Sequence, residues 1–185
     1  MILPITAYGD PVLKKKGTEI SADYPELKTL IENMFATMYK AEGVGLAAPQ
    51  VGLSIRLFIV DTVQVETEKK PKFKGIKKAF INPQILSESG EEWKYEEGCL
   101  SIPGIRGDVY RKPVVKIKYQ DENFEWHEET YDEMNARVIQ HEYDHIDGIL
   151  FTEKLAPLKK KMIQSKLQKI MKGDVDAHYK MRFAR

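Results

Sequence analysis

A chain of 185 residues, 42% of them hydrophobic, is long enough to bury one core and too short for two full domains, so one domain over 1–185 is expected. The 29 basic and 28 acidic residues leave a formal charge of +1, which excludes a global field that would attract DNA or an anionic membrane. No apolar run approaches the roughly 18 residues that span a bilayer. The single cysteine, Cys99, excludes an internal disulfide and suits a reducing, cytoplasmic location.

The first predicted element is a helix that begins near Ser21 and is stopped by Gly43. Pro25 suits its first turn, and apolar residues then recur at spacings of three and four. These residues are Leu27, Leu30, Ile31, Met34, Phe35 and Met38. The next stretch, GVGLAAPQVG (43–52), mixes glycine, proline and small residues and is therefore predicted to be a loop.

Strand-forming residues dominate the middle of the chain. IRLFIVD (55–61) is typical of a buried strand, and KAFINPQIL (78–86) of a second strand that Pro83 would break or push to a sheet edge. The charged stretch between them (62–77) is predicted to be a solvated loop.

A hairpin is predicted next. PVVKIKYQ (113–120) and FEWHEET (124–130) each alternate apolar and polar residues, and a short turn separates them. In this interpretation Trp126 lies on the buried face of the hairpin and His127 points to solvent.

Two helices follow the hairpin. Thr130 and Glu133 match a T-x-x-E capping box, which predicts the start of a helix that Gly148 ends. From Pro157 to about 172, apolar residues and lysines occupy opposite sides of an amphipathic helix. The tail 173–185 carries no clear pattern. The order of elements predicts an α+β fold, with short antiparallel sheets around a central helix and the amphipathic helix near the C-terminus.

The central helix carries HEYDH (141–145), a candidate metal site. Residues four apart lie on one face of a helix, so His141 and His145 can hold the same ion, with Glu142 beside them. A catalytic site of the zinc type uses three protein ligands and leaves one position open. The alternative is that both histidines are structural.

The third ligand is not in the usual downstream position. Gly148 fits the pattern H-E-x-x-H-x-x-G-x-x-H, but Phe151 stands where its last histidine should be. The carboxylates of Asp174 and Asp176 lie in the tail. Cys99, within EEGCLSIPG (96–104), is the favoured candidate, because zinc and ferrous iron accept thiolate ligands. A core thiol is its structural alternative.

Three segments resemble, in the same order, the signature motifs of peptide deformylases: GVGLAAPQ (43–50), EGCLS (97–101) and QHEYDH (140–145). The opening ILPITAYGDPVL (2–13) and the basic C-terminal helix are also similar to the bacterial form of the family. The resemblance implies a metal-dependent hydrolase that removes the formyl group from the N-terminal formylmethionine of new polypeptides and releases formate.

The resemblance also implies catalytic roles. Cys99, His141 and His145 would hold one divalent ion, which lowers the pKa of water and supplies hydroxide. Glu142 would take the proton of the water and deliver it to the leaving amine. Ferrous iron is the ion expected in the cell, with zinc or nickel as alternatives.

Further residues would bind the substrate. The side-chain amide of Gln50 and the backbone N–H of Leu100 would stabilise the oxyanion, and the backbone near Gly45 would pair with an extended peptide. Val44, Met134 and Val138 are candidates for an apolar methionine pocket by position, although core packing explains each equally well. Arg106 is a candidate to line the cleft, with a solvated position as its alternative.

The lysine-rich side of the last helix has two interpretations. It is either an ordinary solvated surface or, as in the family, a face that docks on ribosomal RNA. Two other functions are alternatives for the whole chain: a metallopeptidase that cleaves internal amides, and a non-catalytic ribosome- or nucleic-acid-binding protein with a structural metal.

Overall fold

The computed structural model describes residues 1–184, which form three α-helices and three small sheets. The helices are α1 (Leu27–Lys40), α2 (Glu133–Ile146) and α3 (Pro157–Met171). The strands are β1 (Ile5–Thr6), β2 (Gly45–Ala47), β3 (Leu57–Asp61), β4 (Lys77–Ser89), β5 (Trp93–Cys99), β6 (Ile102–Arg111), β7 (Val114–Gln120), β8 (Trp126–Tyr131) and β9 (Met181–Arg182). An antiparallel sheet has the order β2-β3-β4-β7-β8, β5 pairs with β6, and β1 pairs with β9. The predicted α+β fold is confirmed.

The five-stranded sheet carries one helix on each face. Because successive strand residues point to opposite faces, Phe58 and Val60 of β3 pack with α2, while Leu57 and Ile59 pack with α1. Nine of the 14 residues of α2 are buried, so α2 is the central helix. The amphipathic α3 packs separately, against β6.

The segment 43–52 is not a loop throughout, contrary to the prediction. Residues 45–47 form β2, which pairs with β3 so that Gly45 lies opposite Val60 and Ala47 opposite Phe58. A turn of 3-10 helix, Ala48–Val51, follows directly. Glycine and alanine have a low intrinsic tendency to form strands. Pairing with β3, which is distant in the sequence, supplies the hydrogen bonds and outweighs that tendency.

Pro83 neither breaks its strand nor lies at an edge of the sheet. β4 is an interior strand, but its pairing with β3 ends at Ile81, and its register against β7 shifts between Ile81 and Gln84. Asn82 within this irregularity has a φ of 48°. The missing N–H of proline therefore falls in a bulge and removes no ladder hydrogen bond.

The predicted hairpin is confirmed as β7 and β8. Val115, Ile117 and Tyr119 of β7 are buried as expected, but the inward face of β8 is the opposite of the predicted one. His127 lies across from Tyr119 and stacks on it at 5.5 Å between ring centroids, whereas Trp126 is 54% exposed. The turn after Asp121 sets this register, because Phe124 takes a left-handed φ of 60° there. A shift of one residue exchanges the two faces of a strand.

Two predicted helix starts are wrong. α1 begins at Leu27 rather than near Ser21, with Glu26 at its N-cap in a left-handed conformation. Thr130 is a strand residue paired with Lys116, so it cannot cap α2; Asp132 is the N-cap residue instead. The predicted stop at Gly148 is confirmed by its φ of 75°, just beyond the end of α2.

The C-terminal region is more ordered than its sequence indicates. α3 begins at Pro157 as predicted, yet Leu158 and Met162 are 71% and 66% exposed. The tail returns to the N-terminus, where Met181 of β9 pairs with Ile5 of β1. Across residues 1–184, the helices are too short or too polar to span a membrane.

Candidate metal centre

The predicted metal ligands come together at the C-terminal end of β5 and in the C-terminal half of α2. One helical turn separates His141 from His145, and Sγ of Cys99 lies 3.4 Å from Nε2 of His145. One ligand atom from each of the three residues lies within 4.8 Å of the others. Ligand bonds of about 2.0–2.3 Å place neighbouring donors of a tetrahedral ion roughly 3.3–3.7 Å apart, so this set fits one divalent ion.

The two histidines differ in their electrostatic surroundings. Burial, together with the nearby His141, lowers the pKa of His145 well below its ordinary value and keeps the ring in the neutral form that binds metals. Burial also opposes a charge on His141, but hydrogen bonds with Cys99 and Glu97 outweigh it and raise its pKa to about 10. An ion that binds His141 must therefore displace a proton.

Glu97 orients His141, a role that the sequence interpretation missed. Its Oε1 lies 2.8 Å from Nδ1 of His141, which leaves Nε2 of that ring free for an ion. Arg111 donates two hydrogen bonds to Glu97, and Arg137 donates another. Burial favours the neutral acid, but the bonds from His141 and Arg111 prevail and hold the pKa of Glu97 well below its usual range. The sequence feature that could have indicated this role is the presence of an acidic residue two positions before Cys99.

Glu142 lies beside the metal ligands, and its carboxyl group is buried with incomplete hydrogen bonding. Its side chain is packed against Gly45, where an added Cβ would lie 2.5 Å from Oε1. Its Oε2 has no hydrogen-bond partner among residues 1–184. Burial raises the pKa of Glu142 to about 7. A group with this pKa can both take up and release a proton near neutral pH.

Gln50 presents its amide to the same site. The turn Ala48–Val51 places its Oε1 2.9 Å from the backbone N–H of Ala47, which donates to it. Its Nε2 is then directed at Sγ of Cys99, at 3.4 Å, and at Oγ of Ser101, at 3.2 Å. The amide is therefore fixed in place before any ligand binds.

Comparison with known proteins decides the family. The family model described as polypeptide deformylase matches residues 2–161. A peptide deformylase of Christiangramia forsetii is 58% identical, over 99% of this chain and 96% of its own length. That of Flavobacterium johnsoniae is 55% identical, over 100% of this chain and 97% of its own. The chain belongs to the polypeptide deformylase family.

The fold of this deformylase agrees with solved structures of the family. A peptide deformylase from Legionella pneumophila superposes with a TM-score of 0.81 at 38% identity, covering 94% of this chain and 98% of that one. One from Thermotoga maritima gives a TM-score of 0.74 at 39% identity, covering 85% of this chain and 99% of that one. The chain is an enzyme of this type, which removes the N-formyl group from new polypeptides and depends on a metal. The predicted family and reaction are confirmed.

The deformylase site opens into a cleft of about 580 Å³. The residues predicted to bind the substrate all line it, including Val44, Gly45, Leu100, Arg106, Met134 and Val138. Arg106 lies at the rim, where its Nε donates to Oε1 of the exposed Glu96 at 3.0 Å. Residues 176–179 of the tail also line the cleft, and Tyr179 donates to the carbonyl of Leu100 at 2.7 Å. No pattern in the sequence pointed to this contribution of the tail.

Proposed function

We propose that this chain deformylates formylmethionyl peptides at a single divalent ion held by Cys99, His141 and His145. The observation that carries the proposal is that three donor atoms meet beside the buried carboxylate of Glu142, one oxygen of which has no partner in the described part of the chain. When bound, a divalent ion at these ligands lowers the pKa of water toward neutrality and supplies hydroxide for attack on the formyl carbon.

Glu142 is the proton carrier in this proposal. Its Oε2 is free to accept the proton of the attacking water, and its pKa of about 7 lets it release that proton to the leaving amine. The position of Gly45 against the carboxyl group limits the movement of Glu142, whose side chain lines the cleft.

Gln50 and Leu100 stabilise the negative charge that develops on the formyl oxygen. Nε2 of Gln50 is held next to Cys99 by the bond that its own Oε1 accepts, so no reorganisation is needed during the reaction. Leu100 follows Cys99 in the chain, and its backbone N–H is the second donor. A donor of this kind contributes about 3–4 kcal/mol to transition-state stabilisation.

The substrate backbone binds between two strands with free edges. β2 is the outer strand of the five-stranded sheet, and β5 pairs only with β6 within the described chain. An extended peptide that adds to such an edge is bound through its backbone, independently of its sequence. Val44, Met134 and Val138 form the methionine pocket, with Arg106 at the rim of the cleft.

Two substrates test the reaction. A formylmethionyl tripeptide should release formate and a free amine, whereas unformylated casein should yield no new termini. Cleavage of casein would support the metallopeptidase instead. Release of neither product by the metal-loaded protein would favour the non-catalytic alternative.

The proposed ion in the cell is ferrous iron, with zinc or nickel able to occupy the same mixed thiolate and imidazole set. Anaerobic purification followed by metal analysis and activity per ion identifies it. Cys99→Ala is the negative control, because it removes the proposed sulfur ligand and should leave the protein without bound ion.

We also propose that this enzyme acts in the cytoplasm, as one domain over its whole length, and meets its substrates at the ribosome. Lys161, Lys166 and Lys169 of α3 are exposed, which supports contact with RNA phosphates. Lys159 and Lys160 are half-buried, and exposed Leu158 and Met162 lie on the same helix. Cosedimentation with ribosomes should weaken as salt rises and be lost when Lys161, Lys166 and Lys169 are replaced by glutamate.

A further inference from the structure

A second cavity adjoins the catalytic cleft. Its volume is about 680 Å³, and Tyr95 and Met134 belong to the walls of both cavities. Tyr95 is 37% exposed at this junction. Because the two cavities share walls, a ligand that leaves the cleft along β5 arrives at the second cavity.

The lining of this cavity is mostly aromatic and apolar. Trp93 lies on β5, Pro113 precedes β7, and the charged stretch 62–77 contributes Pro71 and Phe73. The charged residues that also line it have both signs, with Lys70 and Lys72 on that stretch and Glu91, Asp132 and Glu133 elsewhere. An apolar side chain therefore suits the cavity better than a strongly charged one.

The distance from the metal ligands matches the length of an extended substrate. β5 has seven residues and runs from Cys99 back to Trp93. At about 3.3 Å per residue, these two ends lie roughly 20 Å apart. A peptide whose formyl group is at the metal site and whose backbone follows the free edge of β5 brings about its sixth or seventh residue beside Trp93.

We propose that the cavity formed by Pro71, Phe73, Trp93 and Pro113 is a distal binding site for an apolar side chain of the substrate, about six residues downstream of the formylmethionine. This inference rests on the proposed function, because it requires the formyl group to be at Cys99, His141 and His145. It gives the stretch 62–77 a role in binding long substrates, and it lets the enzyme favour emerging chains over short formylated peptides.

Peptide length and composition test the site. The substrates are a formylmethionyl tripeptide and a set of formylated nonapeptides of alanine and serine with a single leucine at one of positions four to eight. Leucine at about position six or seven should lower KM about tenfold and leave kcat unchanged, since the added contact is equal in the ground and transition states.

Two variants assign the effect to the cavity. Pro71→Trp places a large side chain at its exposed wall, and Trp93→Ser removes its largest aromatic group. Each should abolish the tenfold preference while the tripeptide is turned over as before. Tyr110→Ala is the matched control, because Tyr110 is an exposed aromatic residue on the neighbouring β6 that lines neither cavity.

The outcomes separate this inference from the proposed function. Equal KM values for all nonapeptides, or a leucine preference that survives in both variants, would overturn the distal site. In either case turnover of the tripeptide would leave the proposed function intact. Trp93 also stacks on Arg137, so Pro71→Trp alone decides the matter if Trp93→Ser does not fold.

Discussion

Oε1 of Glu97 lies 2.8 Å from Nδ1 of His141, and their side chains are only 5% and 11% exposed, respectively. The same carboxylate is held by Arg111, which in turn binds Asp144 at 2.8 Å on the helix that carries both histidines. The orientation of a metal ligand therefore depends on a buried network that joins β5, β6 and α2. Partners of this kind fix which ring nitrogen faces the ion.

Glu97→Gln should weaken ion binding and destabilise the fold together. Loss of the charged acceptor frees the ring of His141, and a loss of about 10- to 100-fold in ion affinity is expected. Arg111 and Arg137 would lose a buried partner, which costs roughly 3–5 kcal/mol in the free energy of unfolding. Competition with a chelator and thermal unfolding measure the two effects. Glu96→Gln, at the exposed neighbour, should change neither, and unaltered ion affinity in Glu97→Gln would refute the orienting role.

Glu142→Gln should separate ion binding from turnover. The amide keeps the shape of the side chain but cannot carry a proton, so kcat should fall by about 10²–10⁴. The ion content should stay as in the unmodified protein, because Glu142 is not among the ligands. Metal analysis and formate release on the same sample check both statements. Glu128→Gln on the exposed side of β8 serves as control, and full activity in Glu142→Gln would show that another group moves the proton.

Gln50→Glu should affect kcat far more than KM. The variant keeps Oε1, which accepts from the N–H of Ala47, and replaces the Nε2 donor next to Cys99 with a carboxylate oxygen that cannot donate when ionised. Since that donor acts on charge that develops in the transition state, a loss of about 10²–10³ in kcat is expected. Steady-state kinetics with the tripeptide give the two constants. An increase in KM with an unchanged kcat would instead assign Gln50 to ground-state binding.

Gly45→Ala should lower catalytic activity without changing any of the three metal ligands. The new Cβ would lie 2.5 Å from Oε1 of Glu142 and 2.7 Å from its Cγ, so the carboxyl group must move. We expect a fall in kcat of about tenfold or more, because small displacements of a catalytic group are costly, with the ion retained. Normal activity in a variant whose crystal structure shows Glu142 in place would contradict this explanation.

The sequence predicted the elements that local interactions determine, and it failed where residues far apart in the chain interact. The spacing of apolar residues from Leu27 to Met38 located α1, and the largely apolar stretch 55–61 located β3. Both hydrophobic patterns are visible within a short stretch of sequence. The start of α2 and the faces of β8 were predicted wrongly. Both depend on the register of β7 against β8, which the turn before Phe124 decides.

For the site, the sequence by itself determined the family through its three motifs. It also singled out His141 and His145 as candidate ligands, because a helix brings residues four apart to one face whatever surrounds it. Only the tertiary structure decided which distant groups complete the arrangement. It placed Cys99 beside His145, aligned Glu97 with His141, and brought the tail around Tyr179 to the cleft. Strand pairing and core packing between segments far apart in the chain produce these contacts, and no local pattern encodes them.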